Sequence, residues 1–231
     1  MAINIPILTS FSGKGVADAQ REFKSLTTTT QKAGFILQKA LLPAAAAIGT
    51  ITQVIMPAIK AASDFEEATS KVNVIFGRTS KTIKAFAENA ARDLGQSKQA
   101  VLDAAGTFGA FGKAAGLAGE DLGLFTTDFI TLATDLASFN NTTPEEAVQA
   151  IGAALRGEAE PLRRFNVLLN DATLKAEAMK LGIYDGSGAL TAQQKILAAQ
   201  AAIYKQTGDA QGDFILTQDN LANKTRTLDA L

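Results

Sequence analysis

The sequence predicts a mainly α protein: a short N-terminal strand, a long apolar helix, a cluster of short helices and a C-terminal coiled-coil-like helix. Three observations carry that expectation. Apolar residues recur at three- and four-residue steps along most of the 231 residues, the spacing that lays side chains along one helical face. Helix start and stop signals punctuate the chain from Ser63 onward at intervals suited to short helices. The stretch from Thr191 to Leu231 holds no proline and carries two series of residues seven apart.

Residues 1–12 form the expected strand. Ile3, Ile5 and Ile7 alternate with period two, and Pro6 points to an edge position. The start lacks the positive flank and continuous apolar stretch of a secretory signal. Gly13 and Gly15 break the alternation, and residues 13–62 read as a long apolar helical segment. Phe23 and Leu26, then Ile36, Leu41, Ile48, Ile51, Ile55 and Ile59, mark its stripe. Ala40 to Ile59 is 20 residues without a charge, about the length a bilayer core requires. Against a membrane span stand Thr50, Thr52, Gln53 and the prolines at 43 and 57, each interior proline costing roughly 3 kcal/mol in a helix. A helix buried against partner helices is the expectation. Conditional membrane activity through Ile48, Ile51, Ile55 and Ile59 is the alternative.

Residues 63–189 read as a helical core. Ser63 and Glu66 suggest a capping box, in which the hydroxyl takes one free N–H and the carboxylate reaches back to another. Gly77 suggests the end of that helix. Ser80 to Leu94 makes the next, stopped at Gly95, and Ser97 caps its successor. The glycine-rich stretch from Phe108 to Gly119 is expected as a flexible connection. A helix from Glu120 to Ala137 carries Leu124, Ile130, Leu132 and Leu136. The strongest local signal is Thr143-Pro144-Glu145-Glu146: threonine caps, proline sits where its missing N–H costs nothing, and Glu146 closes the box. That helix should run to Gly157. Helices at Pro161–Leu169 and Asp171–Leu181 follow, the latter ended by Gly182. An Asp185–Gly188 loop then leads to a last capping box at Thr191 and Gln194.

Residues 190–231 read as the start of a coiled-coil-like rod. Ile196, Ile203 and Ala210 fall seven apart, as do Phe214, Leu221 and Leu228, and the two series are the a and d positions of one heptad frame. These six residues are the expected helix-packing and oligomer interface. Gln200, Thr207, Thr217 and Lys224 also occupy core positions, and Gly208 and Gly212 weaken the helix. No C-terminal stop signal precedes Leu231, so the helix is expected to continue beyond it.

Composition excludes several chemistries. The chain has no cysteine, histidine or tryptophan, which removes zinc fingers, haem ligation, cysteine nucleophiles, disulfides and Ser-His-Asp triads. A net charge of −1 argues against specific nucleic-acid binding, which requires a basic excess or stripe. Gly13-Lys14-Gly15 falls short of a dinucleotide fingerprint because Asp18 stands where glycine or alanine is needed. Gly112-Lys113 falls short of a phosphate loop, with Thr107 and Ala114 at its other key positions. Asp185–Gly188 has too few oxygen ligands for calcium. Arg156, Arg163 and Arg164 lie among Glu158 and Glu160 and are expected to form a surface ion-pair network. No catalytic residue, metal or cofactor is expected.

The opening Ala2–Gly15, the Arg21–Lys24 helix and Phe65–Val72 resemble segments of tail tape measure proteins of long-tailed bacteriophages. The fullest match is Thr143–Phe165, which continues through Met179–Ile183 and Leu190–Lys195. The resemblance covers most of the chain, is most specific in its middle and weakest along the heptad tail. It implies a non-enzymatic, mainly helical virion protein that lies in the tail lumen and sets tube length during assembly. It also implies self-association, commonly as three copies, contacts with the tail tube protein, assembly chaperones and tail tip or baseplate proteins, and release during genome ejection. Synthesis would be in the bacterial cytoplasm. The Ala40–Ile59 segment is the kind implicated in transient contact with the host membrane. A wholly helical chain of this length spans only about 350 Å, so the sequence is expected to be the N-terminal part of a longer tape.

Overall fold

A computed structural model describes residues 56–231, with side chains from Lys60 onward. The expected strand over residues 1–12, most of the apolar segment 13–62, and Ile48, Ile51 and Ile55 lie outside the described residues, as does the side chain of Ile59. The described residues contain no strand, and every regular element is helical. The protein is mainly α. No helix among the described residues is long and apolar enough to cross a membrane. The chain divides into two compact units, Met1–Glu67 and Ala68–Leu231.

The first described helix, α1, spans Met56–Phe76. The helix start expected at Ser63 does not form, because α1 runs unbroken through Ser63 and Glu66; no glycine or proline lies between Lys60 and Phe76 to interrupt it. Gly77 does end it, and a 3-10 turn at Gly77–Thr79 leads into α2 (Ser80–Glu88) and α3 (Ala90–Leu94). One helix was expected there. It divides at Asn89, whose side-chain amide donates to the Ala85 carbonyl at 3.2 Å, the local bonding by which asparagine competes with a helix ladder.

Ser97 caps α4 (Lys98–Ala114) by accepting the Ala100 N–H at 3.2 Å. Here the expectation of a flexible connection from Phe108 is overturned, since the helix continues through Gly109 and Gly112. Those glycines work by absence of a side chain. A Cβ on Gly109 would stand 2.5 Å from the Phe76 ring and 2.8 Å from Ile75, and one on Gly112 would stand 2.5 Å from Leu122. Close approach of neighbouring helices outweighs the roughly 1 kcal/mol that a helix-interior glycine costs.

The centre of the second unit is α5 (Gly119–Phe139), which packs on α4 on one side and on α6 (Pro144–Arg156) on another. Phe129, fully buried, stacks on Phe108 with centroids 5.3 Å apart and meets Phe125 edge-on at 5.0 Å. Each such pair adds about 0.5–1.5 kcal/mol beyond area burial. The signal at Thr143 forms as expected. Glu146 donates its N–H to Thr143 Oγ1 at 3.2 Å, and Thr143 N–H donates to Glu146 Oε2 at 3.3 Å. At the other end Gly157 takes φ 104, and bonds from Gly157 N–H to Ala154 and Glu158 N–H to Ala153 close the turn.

The helix expected at Pro161–Leu169 is a shorter 3-10 turn, Glu160–Phe165, ended by Asn166 at positive φ. Helices α7 (Asp171–Lys180) and α8 (Ala192–Gln206) then form an antiparallel pair around Ala178, Leu190 and Ala198. The Thr191 capping box forms, with bonds of 3.2 and 2.8 Å to and from Gln194.

Candidate interaction surface at the C-terminal helices

The single heptad helix expected from Thr191 to Leu231 is instead three. After α8 come a 3-10 turn at Gly208–Ala210, a short α9 (Asp213–Leu216) and α10 (Leu221–Ala230). Two breaks separate them, at Thr207–Gly212, where Gly212 takes φ 84, and at Thr217–Asn220. The heptad interface is therefore divided. Ile196, Ile203, Ala210 and Phe214 are buried within their own chain, whereas Leu221 and Leu228 are 81% and 71% exposed. The physical reason lies at the two breaks, where Thr207 and Thr217 occupy seam positions, Gly208 and Gly212 beside the seam weaken the helix, and the chain turns back onto α5 instead of running on.

Polar side chains at the end of α5 hold this turned-back segment. Asp135, 5% exposed, accepts the Gly212 N–H at 2.8 Å and the Phe214 N–H at 3.2 Å, capping α9 from another helix. Burial pushes the Asp135 carboxyl above its ordinary range, opposed by those two N–H groups. Asn223, 2% exposed, donates to Ser138 Oγ and to Thr217 Oγ1, each at 2.8 Å. Arg226 bonds Asn223 and donates to the carbonyls of Thr142 at 2.7 Å and Ala137 at 3.3 Å. Ala137 lies in the last turn of α5, where its carbonyl also accepts the Thr142 N–H at 2.9 Å. Thr142 follows the helix end beyond Asn141 at φ 51, so Arg226 ties together the C-terminal end of α5. The Phe214 ring fills the space beside Gly95, where a Cβ would lie 2.9 Å from it.

Sequence reasoning missed Asp135, Ser138, Asn223 and Arg226. Only Asp135 left a trace in the pattern, as a charge inside the apolar run from Leu132 to Leu136. Five large apolar side chains of the segment, Ile215, Leu216, Leu221, Leu228 and Leu231, are more than half exposed, among exposed polar residues such as Gln218, Asp219 and Lys224. These exposed apolar side chains make the segment a candidate interaction surface.

The arginine cluster forms ion pairs. Arg163 meets Glu160 at 2.9 Å, Arg156 meets Glu158 at 3.3 Å and Arg164 meets Glu146 at 3.4 Å. Arg156 and Arg164, with Glu158 and Glu146, border a cleft of about 710 Å³ along α6, which thus presents cations already matched by carboxylates. Between α7 and α8, Glu177 accepts from Lys180 at 2.9 Å and Lys205 at 3.0 Å, and these bonds hold its carboxyl below the usual range. The Tyr204 hydroxyl is buried without a hydrogen-bond partner; burial, with Asp128 and Asp135 nearby, pushes its ionisation upward. Among the described residues no three His, Cys, Asp or Glu side chains are grouped to hold a metal. Comparison with family models, with curated proteins and with solved structures finds no match.

Proposed function

We propose that the chain is a tail tape measure protein of a long-tailed bacteriophage, a structural component of the tail lumen that sets tube length and leaves during genome ejection. The observation that carries the proposal is the Thr143–Phe165 segment, whose residues resemble the family most fully and which forms α6 and its following 3-10 turn. Support comes also from the chemistry of the surface: paired charges, and exposed leucines suited to helix packing. A net charge of −1 suits a protein that shares a channel with DNA, since a basic surface would bind the phosphates. The partners are further copies of the chain, the tail tube protein, assembly chaperones and tip or baseplate proteins. The function is structural, not enzymatic.

The folded unit Ala68–Leu231 is not itself a ruler. A compact unit of roughly 160 residues has a radius of gyration of about 15 Å, whereas the same residues as one straight helix would span roughly 245 Å. The proposal therefore assigns length to helical sequence outside this unit. Chemical cross-linking of intact tails, followed by mass spectrometry, tests the placement: cross-links from this chain to the tube protein are expected, and its absence from purified tails refutes the proposal.

The uncharged Ala40–Ile59 stretch favours a second reading, a membrane-active protein that assists a pore in the host envelope. Leakage of liposomes that disappears with Ile51→Asp would favour it, and a lack of lipid binding would remove it.

A further inference from the structure

We infer that Gly208–Leu231 is a strap that opens from the second unit as one piece, hinged at Thr207–Gly212, while α4, α5 and α6 stay folded. The inference is independent of the tail assignment. It rests on how the segment is attached. Three of its side chains are buried, Ala210, Phe214 and Asn223, and Phe214 is the single large apolar one among them. Every other large apolar side chain of the segment already faces outward: Ile215, Leu216, Leu221, Leu228 and Leu231. Of the segment's own large apolar side chains, opening exposes only Phe214 anew, and apolar burial is the main term resisting it.

The remaining side-chain hydrogen bonds to the body of the unit cluster on one short stretch, Asp135 to Thr142, apart from Gln211, which donates to the Tyr204 carbonyl at 2.7 Å beside the hinge; α9 and α10 also lie against α3. Asp135 holds the N–H groups of Gly212 and Phe214, the Ser138 and Thr217 hydroxyls lie 3.2 Å apart, and Arg226 reaches the Ala137 and Thr142 carbonyls. Water replaces such bonds at small net cost when a segment swings out. Because they sit together at one end of α5, losing one loosens the rest, which makes the segment a cooperative unit. By contrast α8, which precedes the hinge, buries Ile196, Ala198, Ala199, Ala202 and Ile203 and is held by packing. Gly212 at φ 84 and the 3-10 turn before it supply a hinge free of regular α-helix. Opening frees Phe214 and bares its seat beside Gly95, uniting it with the leucines already exposed.

Hydrogen exchange on the full chain, read by mass spectrometry, tests the strap. Amides of α9 and α10 are expected to exchange at least ~10-fold faster than those of α5, and as a group. Equal protection of the two would overturn the inference. A second experiment uses the absence of native cysteine: the paired substitution Ser138→Cys and Thr217→Cys is oxidised to tie the strap down. Protection of α9 and α10 should rise toward that of α5 on oxidation and fall again on reduction; a bridged protein whose strap exchanges as before would refute the hinge. Arg226→Ala should raise exchange in the strap about 10-fold and leave α5 unchanged. A parallel loss of protection in α5 would show that strap and body unfold together, and would end the proposal.

Discussion

Two lysines hold Glu177, and the consequence is a sign in the pH dependence of stability. Its folded-state acidity lies below the ordinary 4.5 because Lys180 and Lys205 bond the ionised form. A carboxyl held below its unfolded value stabilises the fold above 4.5, and that contribution is lost as pH falls through the folded value. The Glu177→Gln variant should therefore show a shallower loss of urea midpoint below pH 4.5 than the parent; matching slopes would contradict the role. Tyr204 makes the opposite case, a buried hydroxyl that finds no partner. Removing an unsatisfied polar group relieves its desolvation cost, so Tyr204→Phe should leave the urea midpoint unchanged or raise stability by up to about 1 kcal/mol. Residue-level legibility followed distance along the chain. Thr143 with Glu146 and Thr191 with Gln194 were readable because cap and partner lie three residues apart. Arg226 was not, since its acceptors, Ala137 and Thr142, stand 89 and 84 residues away.

Helix α4 shows how an element can be misjudged from composition. Glycines between Phe108 and Gly119 suggested a linker, yet Gly109 and Gly112 are places where a neighbouring helix leaves no room for a methyl group. Gly152 in α6 differs, because an added Cβ would meet its nearest neighbour, Thr107, at an ordinary 3.6 Å. Two substitutions of identical chemistry should then have opposite signs. Gly109→Ala should lose about 1–3 kcal/mol through overpacking against Phe76, outweighing its helix-propensity gain. Gly152→Ala should gain about 0.5–1 kcal/mol. Chemical denaturation of both variants measures the pair, and equal effects would contradict the packing account. The cap of α6 gives a third value: Thr143→Ala should cost about 0.5–2 kcal/mol in the same assay. The heptad tail was legible as helix but not as fold, since periodicity reports which residues share a face and is silent on whether the chain turns back. Hydroxyl residues on the seam, Thr207 and Thr217, and glycines beside it, Gly208 and Gly212, decided that question in favour of three short helices.

At the scale of the molecule, the mainly α class was legible because helical spacing and caps repeat along the chain. How the helices gather into the Ala68–Leu231 unit was not, because buried bonds between distant residues carry that information. Under the proposed tape measure role, length is set by sequence outside this compact unit, and the folded helices serve packing and docking. The central proposal is that the chain is a structural part of a phage tail whose length is set by helical sequence outside the compact Ala68–Leu231 unit. The most direct measurement is tail length by electron microscopy after graded in-frame deletions of helical sequence in the gene that encodes the chain. Tails should shorten by about 1.5 Å per residue removed; tails of unchanged length across the series would contradict the account.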